Sequence, residues 1–166
     1  MKKANFQEDD IIHIVAEFLK TQSFLILAQG GNQAGSFRFT LNLQKTKAPD
    51  LVAFRETTIL VCEAKVKASS LFSVSKNSSS DLDSILYLMN SEKPQSEVKS
   101  FFERKLPLLN IPIPNETQIR GCLIAGNSFE RYLPKILSPE VILLWVDTNN
   151  SRVVVEQDIN NLLTQS

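Results

Sequence analysis

The chain has 166 residues, a formal net charge of zero, 43% hydrophobic and 22% charged residues, and only one histidine and two cysteines. That length suits one ordinary domain with a full core, and the composition excludes a collagen-like, low-complexity or disulfide-stapled protein. No apolar run approaches the ~20 residues of a membrane span. Lys2 and Lys3 have no apolar segment behind them, so no signal peptide is expected. Cys62 and Cys122 each lie inside an apolar run, where they read as small core residues of a reducing, cytoplasmic compartment. One histidine and no close cysteine pair argue against zinc.

In chain order, Glu8 to Lys20 predicts an amphipathic helix, with Ile11, Ile12, Val15, Phe18 and Leu19 at three- and four-residue spacing. Phe24 to Ala28 is a short apolar run, followed by a loop through Gly30 to Gly35. Phe37 to Leu43 alternates with period two and predicts a strand. Asp50 to Phe54 and Ile59 to Lys65 are two further strands, joined by Arg55-Glu56-Thr57-Thr58. The serine-rich stretch Ser69 to Ser80 predicts a loop. Ser80 with Asp83 then marks a capped helix start, and Leu82, Ile85, Leu86 and Met89 form its apolar face. Ser96 to Lys105 predicts a second helix, after which Pro107, Pro112 and Pro114 suggest an extended connection. Gly121 to Ala125 is a strand and Phe129 to Leu137 a helix. Val141 to Val146 and Arg152 to Val155 are strands about a turn, and the C-terminus suits one short helix. No repeat and no linker divides the chain. This order implies a single α/β domain over residues 1–166, a mixed central sheet flanked by helices.

The strands around Arg55 to Thr58 carry the functional signal. A hairpin centred between Glu56 and Thr57 pairs residues whose numbers sum to 113, which sets Asp50 opposite Glu63 with Cβ atoms roughly 4.5–5.5 Å apart. Alternation places Ile59, Val61, Glu63 and Lys65 on one face and Leu60, Cys62 and Ala64 on the other. Two facing carboxylates repel, so a proton or a cation must compensate. Mg²⁺ or Mn²⁺ takes such oxygen ligands together with water and substrate phosphate. Lys65 adds an ammonium able to orient an attacking water and to offset charge on a phosphoryl transition state. The alternative is an ordinary edge hairpin with a surface Glu–Lys pair.

Pro49-Asp50 followed by Glu63-Ala64-Lys65 resembles the signature of the PD-(D/E)xK, or restriction-endonuclease-like, nuclease superfamily, and the element order resembles its α/β core over most of the chain. The resemblance implies that Asp50, Glu63 and the backbone carbonyl of Ala64 hold the metal, that Lys65 assists the water, and that an acid from the first helix completes the site. Glu8 is the candidate for that acid, because on a helical wheel it lies in the apolar stripe, whereas Glu17 points away. Asp9 and Asp10 are fallbacks. The resemblance further implies DNA as the substrate, cut in restriction or branched-DNA-resolvase fashion by a homodimer or with a partner subunit. A nucleic-acid-binding or scaffold protein that does not cut, and cleavage of RNA, are the competing readings.

From Lys45 to Lys76 the chain carries six basic residues against three acidic ones. Within that stretch Lys45, Lys47 and Lys67 are candidates for phosphate contact, weighed against ordinary solubilising charges. His13, Tyr87 and Trp145 read as surface, core-rim and packing residues. Asp83 stands four residues before Tyr87, so the Gln-x-x-x-Tyr motif of the exonuclease-like branch is absent.

Overall fold

The computed structural model describes residues 6–30, 38–40, 46–74, 80–136 and 138–163. The chain runs α1 (Glu8–Thr21), β1 (Leu25–Gln29), β2 (Phe39–Thr40), β3 (Thr46–Lys47), β4 (Leu51–Arg55), β5 (Thr58–Lys65), α2 (Asp81–Asn90), α3 (Glu92–Leu108), β6 (Gln118–Ala125), β7 (Ile142–Asp147) and β8 (Arg152–Gln157). Six strands form one mixed sheet in the order β1-β4-β5-β6-β7-β8. β5, β6 and β7 are parallel neighbours; β1, β4 and β8 join antiparallel. The expected α/β architecture, a mixed sheet flanked by helices, is the one observed.

Each face of the sheet has its own core. On one side Ile11, Ile12, Val15, Ala16 and Leu19 of α1 pack over Leu60, Cys62, Ala64, Cys122 and Ile124. On the other, Ile85 and Leu88 of α2 and Val98, Phe101 and Phe102 of α3 pack over Ile59, Val61, Leu123 and Ala125. The alternation expected along β5 therefore holds for Ile59 to Cys62 and for Ala64. Both cysteines are fully buried and free, beside each other on adjacent strands. The central strands are apolar on both faces because helices cover both, as parallel strands require.

The hairpin pairs Leu51↔Cys62, Val52↔Val61, Ala53↔Leu60, Phe54↔Ile59 and Arg55↔Thr58, the register expected from a two-residue turn. Glu56, first in that turn, has φ 56°, the left-handed conformation that such short turns demand. Two glycines allow close approach. A Cβ at Gly121 would lie 2.3 Å from Cγ2 of Ile85, so the bare backbone of β6 lets α2 sit down on the sheet. A Cβ at Gly126 would lie 2.6 Å from the carbonyl of Val66 and 3.0 Å from Cδ1 of Ile11. Gly126 thereby brings the start of α1 up to the end of β5.

Ser80 caps α2 as expected: its hydroxyl accepts from the Asp83 N–H, and the Asp83 carboxylate accepts from the Ser80 N–H, each at 3.1 Å. Other expectations need correction. α3 runs Glu92–Leu108, longer at both ends, with Pro94 in its first turn, where a missing N–H costs nothing, and Pro107 one residue from its end. Instead of an α-helix, Glu130–Lys135 is a 3₁₀ segment with Pro134 inside it. The described C-terminus is a turn, in which the Asp158 carboxylate takes the N–H groups of Leu162 and Leu163 at 3.1 and 2.8 Å. Those bonds supply locally what a helix would have supplied. Of the strand expected over residues 37–43, residues 38–40 lie among the described ones, and Phe39–Thr40 is the strand. It pairs not with the main sheet but with β3, which the pattern did not announce.

Candidate active site

Asp50 precedes β4 at the end of the hairpin opposite its turn. The paired ladder stops at Leu51↔Cys62, so Asp50 is not paired with Glu63 as a strand residue. Pro49 has no N–H to extend the ladder, and the Asp50 carbonyl is taken by Gly30, which leaves the Ala64 N–H to find another acceptor. The Asp50 carboxylate takes it: Oδ2 accepts from the Ala64 N–H at 2.8 Å. Its backbone is fixed as well, the N–H donating to the Cys62 carbonyl at 3.0 Å and the carbonyl accepting from Gly30 at 2.8 Å. The expected proximity of the two acids survives, achieved by a carboxylate closing the ladder's end.

Glu63 lies on β5 with 2% of its surface exposed. That disposes of the edge-hairpin alternative, since β5 is a central strand and Glu63 is buried under α2. Oε2 of Glu63 meets the Lys47 ammonium at 3.2 Å, while among the described residues no donor reaches Oε1. The Asp50 carboxyl lies near enough for its charge to act on Glu63. Two acceptors side by side require a proton or a cation between them. Burial, then the charge of Asp50, pushes the Glu63 carboxyl well above the ordinary range. Burial also raises Asp50, partly offset by the hydrogen bond from Ala64.

Lys65 ends β5. By alternation it starts on the face of Glu63, but at the sheet's end its long side chain crosses toward α1, where Nζ lies 3.9 Å from Oε2 of Glu8. Glu8 starts α1, whose Ile11 packs against Gly126 beside the end of β5. Its carboxyl is also raised, first by burial and then by the charge of Asp50. Asp9 and Asp10 are exposed, and Asp10 is used in capping, accepting from the Gln7 N–H at 2.8 Å.

Sequence reasoning missed Asp81 and misread Lys47. Asp81, the first residue of α2, is 8% exposed, and Oδ1 holds the Lys47 ammonium at 2.5 Å. Burial alone would lower the Lys47 ammonium, but the charges of Glu63 and Asp81 outweigh it and hold it above its ordinary value. Lys47 is therefore turned toward Glu63 and Asp81. Phe39 explains its position: fully buried against the α3 side of the core, it anchors β2, and it pairs directly with Lys47. The signal for Asp81 was present in the capped helix start beginning at Ser80, which aims the first turn of α2 at the sheet. Lys67 is exposed, before a 3₁₀ turn over Ala68–Leu71, and Lys45 lies outside the described residues. His13 is exposed, Tyr87 half-buried, and the Trp145 indole N–H is buried without a hydrogen bond.

Four carboxylates (Glu8, Asp50, Glu63, Asp81) thus face two ammonium groups (Lys47, Lys65) at one end of the sheet. Among the described residues no three acidic, histidine or cysteine side chains are gathered closely enough to ligate an ion as they stand. The donor set nonetheless fits a hard divalent cation: oxygen ligands only, an excess of negative charge, and a buried Oε1 on Glu63 that lacks a partner.

No family model matches the chain, and no curated protein matches it. Among solved structures similar to it are two cyanobacterial proteins. One is a FdxN element excision controlling factor protein from Anabaena variabilis, 11% identical, with 88% of this chain and 96% of that chain covered and a TM-score of 0.41. The other is an XisH family protein from Nostoc punctiforme, 12% identical, with 87% and 96% covered and a TM-score of 0.39. Among the described residues no helix is long and apolar enough to cross a membrane.

Proposed function

We propose that this protein is a metal-dependent nuclease that hydrolyses phosphodiester bonds in DNA, of restriction or branched-DNA-resolvase type. The observation that carries the reading is the pair of acids Asp50 and Glu63, close enough that the charge of one raises the other, with no donor on Glu63 Oε1 among the described residues, and with Glu8 beside them holding the Lys65 ammonium at 3.9 Å. Asp50, Glu63 and the carbonyl of Ala64 would hold Mg²⁺ or Mn²⁺, with Glu8 as an outer acid. When bound, the ion supplies Lewis-acid polarisation of the phosphate and a water more acidic than bulk water. The chain's own residues do the rest. The Ala64 N–H keeps Asp50 aimed at Glu63, and burial keeps both acids poorly hydrated, so they favour a cation over water. Lys65, with 42% of its side chain exposed, is free to donate to the attacking water or to a phosphate oxygen, while Glu8 holds it at the site's mouth. DNA as partner, and a homodimer or second subunit for cutting both strands, belong to the same proposal.

A second reading has its own observation. Lys47 already supplies Glu63 with a cation, as in a nucleic-acid-binding or scaffold subunit that keeps the fold and does not cut. One experiment separates the two. Purified protein is incubated with supercoiled, linear and four-way-branched DNA in Mg²⁺, Mn²⁺ or EDTA, beside Asp50→Ala and Lys65→Ala. Metal-dependent cutting that Asp50→Ala abolishes, and that Lys65→Ala lowers by about 10²–10⁴-fold, supports the nuclease. Cutting that survives both substitutions refutes the site. DNA retention without cutting in any metal favours the silent subunit.

A further inference from the structure

Lys47 is an unusual neighbour for a metal site. Its ammonium touches Asp81 Oδ1 at 2.5 Å and Glu63 Oε2 at 3.2 Å, so it is held firmly from the outer side and more loosely on the side of the candidate ligands. Glu63 is buried, and among the described residues no donor reaches its second oxygen, Oε1. A divalent ion on Glu63 would stand a few ångströms from that ammonium, in surroundings that screen like charges poorly. The two cations would repel each other across Glu63, so each weakens the other's hold on it.

The rest of the local structure gives Lys47 somewhere to go. Its compact charge sits on a flexible four-carbon stem. Its side chain is 28% exposed, so packing does not enclose it, and it belongs to the two-residue ribbon β2–β3, whose adjustment leaves the six-stranded sheet intact. Asp81 would keep the ammonium paired after it lets go of Glu63. We propose that Lys47 is a resident counter-ion that exchanges with the divalent cation on Glu63: it holds Glu63 when no ion is bound and withdraws onto Asp81 when one binds. This rests on the metal-nuclease reading above. Lys47 then sets the metal affinity, and Asp81 acts on it only through Lys47.

The test is Mn²⁺ titration by calorimetry on the full chain without nucleic acid, for wild type, Lys47→Met, Asp81→Asn, the double variant and Glu63→Gln, with circular dichroism to verify folding. Lys47→Met should bind Mn²⁺ at least tenfold more tightly than wild type. Asp81→Asn should bind at least threefold more weakly, because the ammonium is left with Glu63 alone. The double variant should match Lys47→Met, since Asp81 has nothing to act through once the ammonium is gone. Additive effects of the two substitutions mean two independent charges and overturn the exchange, as does unchanged or weaker binding by Lys47→Met while Glu63→Gln still abolishes it; the metal reading survives both results. If Glu63→Gln binds like wild type, or no variant binds, the metal reading fails and the exchange with it. Should Lys47→Met not fold, Asp81→Asn decides: affinity equal to or above wild type overturns the proposal.

Discussion

The two ends of strand β4 treat charge in opposite ways. At one end Arg55 donates to the carbonyls of Gln22 and Leu162 and lies 4.5 Å over the Phe24 ring, tying the α1–β1 connection and the C-terminal turn to the hairpin. Every contact there satisfies a charge or a carbonyl. At the other end Asp50 and Glu63 lie acceptor to acceptor, with Glu63 Oε1 unpaired. The same two strands support both, so the difference is not one of fold. One end spends its charge on stability; the other retains an electrostatic deficit that only a proton or a cation removes.

Substitutions that separate activity from stability break this comparison most directly. Asp50→Asn should lower metal-dependent cleavage at least about a thousandfold, in line with the loss of a charge that acts in the transition state. Its Tm in EDTA should stay at or above that of wild type, because a repelling buried charge is gone. A large drop in Tm would mean that Asp50 is chiefly structural. Arg55→Ala is the mirror experiment. Losing charge-assisted bonds to two carbonyls should cost about 2–4 kcal/mol in urea unfolding, with Mn²⁺ affinity unchanged. A comparable loss of affinity would show that the two ends are coupled.

Gly121→Ala tests the platform between them. Its methyl would meet Ile85, and overpacking of this kind costs about 1–3 kcal/mol. Because α2 carries Asp81, a shift of the helix should also alter Mn²⁺ affinity, which separates this variant from Arg55→Ala.

The smallest effect is a slope. Glu63 and Asp50 both titrate above their ordinary values in the folded protein, so the native state binds more protons than the unfolded chain over that interval. Stability in EDTA should therefore fall as pH rises from about 4.5, the ordinary glutamate value, through the raised native ones. The decline in Tm should be shallower in Glu63→Gln, and saturating Mn²⁺ should flatten it in wild type. A Tm that rises through that window would show that the acids are stabilised as anions.

The amino-acid sequence by itself determined whatever depends on local period and short turns. The two-residue turn at Glu56-Thr57 set the hairpin register, and with it the faces of β5 and the proximity of Asp50 to Glu63. The apolar stripe of α1 singled out Glu8, and Ser80 with Asp83 marked the start of α2. These are neighbour effects, with energies of order 1 kcal/mol that act within a turn of helix or a pair of strands. Tertiary structure alone decided the rest. Lys47 meets Asp81 across 34 residues, through a ribbon whose second strand has too few residues to show a period. Glu8 reaches Lys65 because α1 packs over β5 and β6, elements far along the chain. α3 keeps Pro107 because its apolar face is packed against the sheet, and Asp158 replaces a helix at the C-terminus with two hydrogen bonds. The reason is the same in each case: a contact between distant segments depends on where whole elements pack, and no local pattern around either partner encodes that position.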